Sequence, residues 1–339
     1  MNTKDIYVFI EQRDGVIQDV SYELLSEARK LVTAIKHVHF DVVGILIGNE
    51  IKDLVQSVIH HGADKVIVAD HGSLAHYSTH YTTDIISDII KTNAPDALLI
   101  GASVIGRDLA PRIAARVDTG LTADATKIEI NPNESDSTEL WITRPAFGGN
   151  LFGTIVCPNH RPQMATIRPK VLDADFFDGT RNGEIIEYKF TPRSIDKVVF
   201  KQRILKETHG IDIAKAKIIV SGGRGVIDHF DLLQEVATLL GGTVAASRGV
   251  VDRQRAPKEI QVGQTGKTVR PTLYLACGIS GAVQHTAGMD KSEFIIAINL
   301  DASAPIFGIA NVGIIGDAVK ILPYLVEEIK LLKEHHIAS

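Results

Sequence analysis

LYLACGISGAVQHTAGM, Leu273 to Met289, opens with an apolar run and turns abruptly to small and polar residues. A short apolar run closed by glycine reads as a buried strand. Gly278, Gly281 and Gly288 then surround Ser280, Gln284 and His285. Glycine admits positive φ and lets main-chain N–H groups approach a ligand closely. The SGAVQH segment (280–285) can start a short helix whose first N–H groups face a phosphate or an electron-rich ring edge.

Two more glycine-rich turns precede it in the chain. IIVSGGRG (218–225) places Gly222, Gly223 and Gly225 around Arg224, and QVGQTGK (261–267) carries Gly263, Gly266, Gln264, Thr265 and Lys267. Ligands of parallel α/β sheets sit beyond the C-terminal ends of the strands. One glycine turn is ordinary turn chemistry. Three, each after a β-type run, point to a nucleotide-like ligand. GQTGKT lacks the glycine gap of a phosphate-binding Walker loop, and neither GGRG nor GISG has dinucleotide-fingerprint spacing.

The N-terminal half alternates strand and helix signals. DIYVFI (5–10), DVVGILIG (41–48), KVIVAD (65–70) and DALLIG (96–101) are strand-like. Between and after them, 21–37, 50–63, 82–95 and 105–120 carry helix-spaced apolar residues, with Asp108 and Arg112 one turn apart and able to pair. This rhythm predicts an α/β fold with a mainly parallel sheet. KIEI, LWITRPAF, GTIVC and QMATIRP, between 127 and 169, either extend that sheet or form a small antiparallel layer. Residues 175–206 are polar and read as a strand and a connector. The rhythm resumes at AKIIVSGGRG (216–225). Two domains are therefore expected, 1–206 and 207–339, the second a doubly wound α/β domain.

Composition narrows the class. Hydrophobic residues make up 45% and charged ones 23%, ordinary for a globular protein. The net charge of −5 comes without blocks of like charge, so no nucleic-acid footprint is read. No stretch approaches the ~20 apolar residues of a membrane span. Cys157 and Cys277 lie far apart in apolar runs and suit buried thiols in a reducing compartment. With no leader-like N-terminus, a cytoplasmic protein is expected. His60, His61, His71, His76 and His80 lack a carboxylate or cysteine pattern, and no metal site is assigned.

SRGVVD (247–252), QVGQTGKTVRPTLYLACGISGAVQHTAGM (261–289), IIAINLDASAPIF (295–307) and GIIGD (313–317) occur in this order. Together they closely resemble the FAD domain of the electron-transfer flavoprotein α subunit. GRDLAPRIAARVDTGLTADAT (106–126), RPAFGGN (144–150) and RPQMATIRP (161–169) extend the resemblance over nearly the whole chain, nearer the α subunits of anaerobic bacteria than the mitochondrial type. The resemblance implies FAD bound by the second domain. Arg224 matches a cofactor contact, and Ser247 and Arg248 match residues beside the isoalloxazine ring. Val262, Gly263, Gln264 and Thr265 match the loop along the ring edge, with Thr265 near N5. Ser280, Gly281, Ala282, Val283, Gln284 and His285 match the segment that wraps the flavin, with His285 near the pyrimidine carbonyl. Asn299 and Asp317 match contacts toward the adenosine half. Singly, each has a structural reading as well: Ser280 and Asp317 as helix caps, Thr265 as a turn residue, His285 as a core histidine.

These residue types suit an electron carrier. An added electron puts negative charge on the flavin N1–C2=O edge. Arg248, a protonated or hydrogen-bonding His285 and helix N–H dipoles would favour that charge, while Thr265 would tune proton uptake at N5. The cofactor carries the redox chemistry, so no catalytic residue is assigned. The resemblance also implies a heterodimer with a β subunit holding AMP or a second FAD. Flavin dehydrogenases such as acyl-CoA dehydrogenase, or NADH in a bifurcating complex, would supply electrons, and ferredoxin or a quinone oxidoreductase would accept them. The chain departs from the family at VVDRQRAP (250–257), with Arg253 and Arg255 where relatives often have glycine and an aromatic, and at Asn311, where many have aspartate. Two other classes share the architecture: a stand-alone NAD- or thiamine-type nucleotide-dependent enzyme, and a nucleotide-sensing interaction protein.

Overall fold

The computed structural model describes residues 4–134, 136–146, 151–192, 200–202, 204 and 212–337. The described chain forms two compact units, one from residues up to 204 and the other from 212 onward. The expected junction near residue 206, and much of the connector before it, lie outside the described residues.

In the first unit, β1 (Lys4–Ile10), β2 (Phe40–Gly48), β3 (Lys65–Asp70), β4 (Ala97–Gly101) and β5 (Leu121–Ala125) are the early strands. β6 (Lys127–Ile130), β7 (Leu140–Ala146), β8 (Leu151–Ile155), β9 (Gln163–Ile167) and β10 (Glu184–Glu187) follow. A parallel sheet runs in the order β10-β3-β2-β1-β4-β9-β5. Its central strands are apolar on both faces, as a sheet covered on both sides requires. Ile6, Val8 and Ile10 join one core with Leu24 and Leu25 of α1 (Asp19–Ala34) and Val58 of α2 (Val55–His60). Tyr7 and Phe9 join another core with Ile85 and Ile86 of α3 (Thr79–Asn93) and Leu109 of α4 (Val104–Val117). The side chains of Ser78 and Ser103 cap α3 and α4 by accepting main-chain N–H groups. On α4, Asp108 and Arg112 pair at 3.4 Å.

Both alternatives for the short β runs occur. β6, β7 and β8 form a separate antiparallel sheet, while β9 enters the main sheet between β4 and β5. The buried Gln163 side chain pins that insertion. Its Oε1 accepts from the Leu140 N–H at 2.7 Å, and its Nε2 donates to Asp96 and to the Thr138 carbonyl, each at 3.0 Å.

In the second unit, β11 (Ile218–Gly222), β12 (Thr243–Ser247), β13 (Gln261–Val262), β14 (Leu273–Cys277), β15 (Phe294–Asn299) and β16 (Val312–Ile315) form one parallel sheet. The order is β13-β12-β11-β14-β15-β16. The chain steps outward from β11 to β13, then returns to lay β14 on the other side of β11. On one face, Val220, Leu275 and Ile298 pack against α5 (Phe230–Leu240) and α8 (Ala318–Ile337) through Leu233, Val236 and Leu322. On the other, Ile219, Tyr274 and Ala297 pack against Met289 and Ile306, which come from turns and short helical segments. No helix among the described residues is long and apolar enough to cross a membrane.

Candidate functional site

A reversal of strand order opens a crevice at the C-terminal ends of the strands, because the connections leave in opposite directions. A cavity of about 960 Å³ occupies that place between β11 and β14. It is lined by the exits of β11, β12 and β14, by the β13 loop, and by the segments after β15 and β16.

The floor explains the glycines. The Gly223 N–H donates to the Cys277 carbonyl at 2.8 Å, and the Gly225 N–H donates to the Gly278 carbonyl at 3.2 Å. A methyl group on Gly223 would overlap the Gly278 carbonyl oxygen. The two strand exits therefore meet main chain on main chain. Gly281 has φ +84°, and a side chain there would collide with the Ile306 main chain, whose N–H donates to the Ser280 carbonyl at 3.1 Å. Gly281 thus supports the loop from below.

Of the residues expected to hold a cofactor, Arg224, Ser247, Arg248, Val262, Gly263, Thr265, Ser280, Ala282, Gln284, His285, Asn299 and Asp317 line this cavity. Gln264, Gly281 and Val283 do not. Gln264 acts through its main chain, its N–H donating to the Gln284 carbonyl at 2.7 Å and so tying the β13 loop to α7 (Val283–Thr286). At four residues, α7 offers N–H groups but no summed dipole of the kind expected from a helix.

The polar side chains divide by what already engages them. Arg248, at the start of α6 (Arg248–Val251), is exposed, and its Nε reaches Asp252 at 3.2 Å. Thr265 Oγ1 accepts from Gln261 Nε2 at 2.9 Å, so its hydroxyl proton can be given to another acceptor. Asn299 donates to the Ile279 carbonyl at 2.8 Å and accepts the Asp301 N–H at 3.0 Å, holding two wall loops together. Asp317 accepts the Val319 N–H at 3.0 Å and caps α8.

His285 is 7% exposed. Its Nε2 lies 3.0 Å from the hydroxyl of Tyr274, a fully buried residue of β14, and its Nδ1 is buried without a hydrogen-bond partner. Burial pushes the imidazole down to about 4, against an opposing pull from the Val262 main chain. Of the two forms expected for this ring, the structure therefore favours the neutral hydrogen-bonding one over the protonated one. Cys277, beneath the floor, is fully buried, and burial pushes its thiol up to about 12.

Sequence reasoning missed other lining residues, among them Gly223, Gln261, Gly278, Ile279, Leu300 and Asp301. The glycines were visible as turns. The rest follow from which loops fold over the strand ends, which no local pattern encodes. Arg253 reaches the lining, whereas Arg255 pairs with Asp228 at 3.4 Å. Asn311 brackets β15: its Oδ1 accepts from the Ile295 N–H at 2.7 Å. Among the described residues no cluster of His, Cys, Asp or Glu is arranged to hold a metal ion.

A parallel sheet with this strand order, opening at its reversal onto a main-chain floor, defines a dinucleotide-binding α/β domain. The cavity suits FAD: it is roomy, its floor admits close approach, and His285 leaves a buried nitrogen unpartnered. Residues 6–192 match the model of the electron transfer flavoprotein domain, and residues 212–290 that of the electron transfer flavoprotein FAD-binding domain. The chain is 47% identical over 336 residues to the electron transfer flavoprotein subunit alpha of Clostridium acetobutylicum, covering 96% of this chain and 97% of that one. It is 42% identical over 354 residues to the acryloyl-CoA reductase electron transfer subunit beta of Anaerotignum propionicum, covering 96% of each. It is 39% identical over 329 residues to the lactate dehydrogenase (NAD(+),ferredoxin) subunit LctC of Acetobacterium woodii, covering 96% of this chain and 77% of that one. The chain belongs to the electron transfer flavoprotein family, on its alpha-subunit branch. With membership come FAD as cofactor, electron transfer as role, and a beta subunit and dehydrogenases as the family's partners.

Proposed function

We propose that residues 207–339 hold FAD and that the chain works as the alpha subunit of a heterodimer, receiving electrons from a flavin dehydrogenase and delivering them to a second redox protein. The observation that carries this reading is the cavity at the reversal between β11 and β14, with His285 in its wall. Bound there, FAD supplies the redox chemistry. Arg224, Ser247 and Arg248 would hold and bias it from one side of the cavity. Thr265, Ser280, Gln284 and His285 would hydrogen-bond it from the other, while Asn299 and Asp317 keep their loops in place.

Residues 1–206 are the proposed domain for contact with the beta subunit, with the junction near 206. A dehydrogenase acting on acyl-CoA thioesters is the proposed electron donor, and ferredoxin or a quinone oxidoreductase the acceptor. The likeness to an acryloyl-CoA reductase subunit and to a subunit named for NAD(+) and ferredoxin supports these finer assignments. A cytoplasmic setting accords with the two free cysteines. The stand-alone enzyme reading is not favoured: the Cys277 thiol is held protonated and His285 is held neutral, a poor nucleophile and a poor base at neutral pH.

The test is co-expression with the beta subunit, followed by counting flavin per heterodimer. The expected result is a yellow complex with FAD bound to this chain, and a colourless FAD-free complex overturns the reading. A second FAD, on the beta subunit, would add bifurcation to the role.

A further inference from the structure

The loop where the chain departs from its family, VVDRQRAP (250–257), is a built feature beside the cavity. Val250 and Ala256 anchor its two ends in a small buried cluster with Ala246 of β12. Between them the main chain turns tightly: the Gln254 N–H donates to the Val251 carbonyl at 2.8 Å, and the Arg255 N–H donates to the Val250 carbonyl at 3.2 Å. Gln254 takes φ +58°, a conformation disfavoured for any side chain beyond glycine. The turn leaves Arg253 and Arg255 exposed on either side of Gln254. Arg253 lines the mouth of the cavity, while Arg255 and the exposed Lys258 lie outside the lining. Arg224 joins them from β11, its stem packed over Gly249 of α6.

Charge is concentrated here. Residues 247–259 carry four basic side chains and two acidic ones, in a chain whose net charge is −5. Arg248 and Arg255 are shared with the exposed Asp252 and Asp228. Among the described residues, Arg224, Arg253 and Lys258 meet no carboxylate. The other aspartates of the lining, Asp301 and Asp317, belong to the segments after β15 and β16, beyond β14. The cavity is thus basic along its β11–β12 side only. A ligand inside the cavity cannot reach Arg255 or Lys258, so the positive strip continues onto open surface and fits a macromolecule. Its position is that of a guide: an electron carrier must be brought close to the cofactor, and a basic rim attracts an acidic surface over about a Debye length.

We propose that the α6 rim, from Arg224 through Arg253 and Arg255 to Lys258, is a docking surface that steers an acidic redox protein to the mouth of the cavity. The proposal rests on the FAD reading above and names the chemistry of its partner.

Stopped-flow mixing of the oxidised heterodimer with a pre-reduced, strongly acidic ferredoxin tests it. One electron leaves the ferredoxin cluster and enters FAD. At about 20 mM salt, Arg255→Gln/Lys258→Gln should slow the second-order rate roughly three- to ten-fold. Asp228→Asn, which frees Arg255 of its counterion, should speed it roughly two-fold. The differences should vanish at about 0.5 M salt. Reoxidation of the reduced heterodimer by an uncharged benzoquinone should be the same in all of them. Ferredoxin rates at low salt that do not differ between wild type and variants overturn the proposal. So does an equal loss with the quinone, which would mean altered access to the cofactor. Wild-type binding to phosphatidylglycerol vesicles, lost in the double variant while ferredoxin rates hold, would assign the rim to a membrane surface and also overturn it. A heterodimer without FAD defeats the cofactor reading instead, while salt-sensitive binding to immobilised ferredoxin still reads the docking surface.

Discussion

Arg248 carries its charge at the surface and shares it with Asp252, so solvent and a counterion both dilute its effect on the cavity. Arg248→Ala should therefore lower the midpoint potential of bound FAD by only roughly 10–40 mV, with Arg248→Lys retaining most of the wild-type value, in a redox titration. Glu23 is the reverse case. It is buried on α1, with both carboxyl oxygens accepting the Lys170 N–H at 3.0 and 2.8 Å, and burial pushes its carboxyl up to about 7. The folded chain then keeps a proton that the unfolded chain releases near pH 4.5, the ordinary glutamate value. This contribution to stability is full below about 4.5 and is lost as pH rises through about 7. Urea unfolding at pH 5 and pH 8 should differ by on the order of 3 kcal/mol at most from this group, and Glu23→Gln should flatten the difference. Neither state was legible in the sequence. Arg248 and His285 could be picked out by resemblance. What meets the ring of His285 is a tyrosine one strand-and-turn earlier, and what buries Glu23 is a loop near residue 170.

Among the elements, the strand exits are the most exacting. Gly223 has φ −103°, which any residue can adopt, so Gly223→Ala tests contact alone. Gly241, closing α5 at φ +68° with open space around it, tests backbone strain alone. Gly241→Ala should cost about 1 kcal/mol and leave FAD content unchanged. Gly223→Ala should cost roughly 1–3 kcal/mol or more and release FAD, because its methyl group pushes the exits of β11 and β14 apart. Chemical denaturation and flavin absorbance of the purified variants separate the two. The strands and helices of the N-terminal rhythm were readable from periodicity. The place of β9 was not, since a strand's neighbours are chosen by distant partners such as Asp96 and Leu140 rather than by its own five residues.

For the molecule as a whole, the described cores fall into two separate units, and the cavity proposed for the ligand is lined by residues of the second. FAD at one hundred times its dissociation constant should stabilise that unit by about 2.7 kcal/mol and leave the first where it is. Calorimetry should then resolve one transition that climbs with added FAD and one that does not. A single transition moving as a block would contradict this division. The chain-wide plan was legible because alternation of strand and helix repeats along it, and the crevice was legible as three glycine turns. Their convergence on one floor depended on strand order. That floor has a consequence for anyone wishing to retune the carrier. Where β11 and β14 part, the surface offered to the cofactor is peptide bond, and apart from proline, which deletes an N–H and fixes φ, the genetic alphabet has no letter that rewrites a peptide bond. Redesign must work from the rim, or replace individual amides by esters through chemical synthesis.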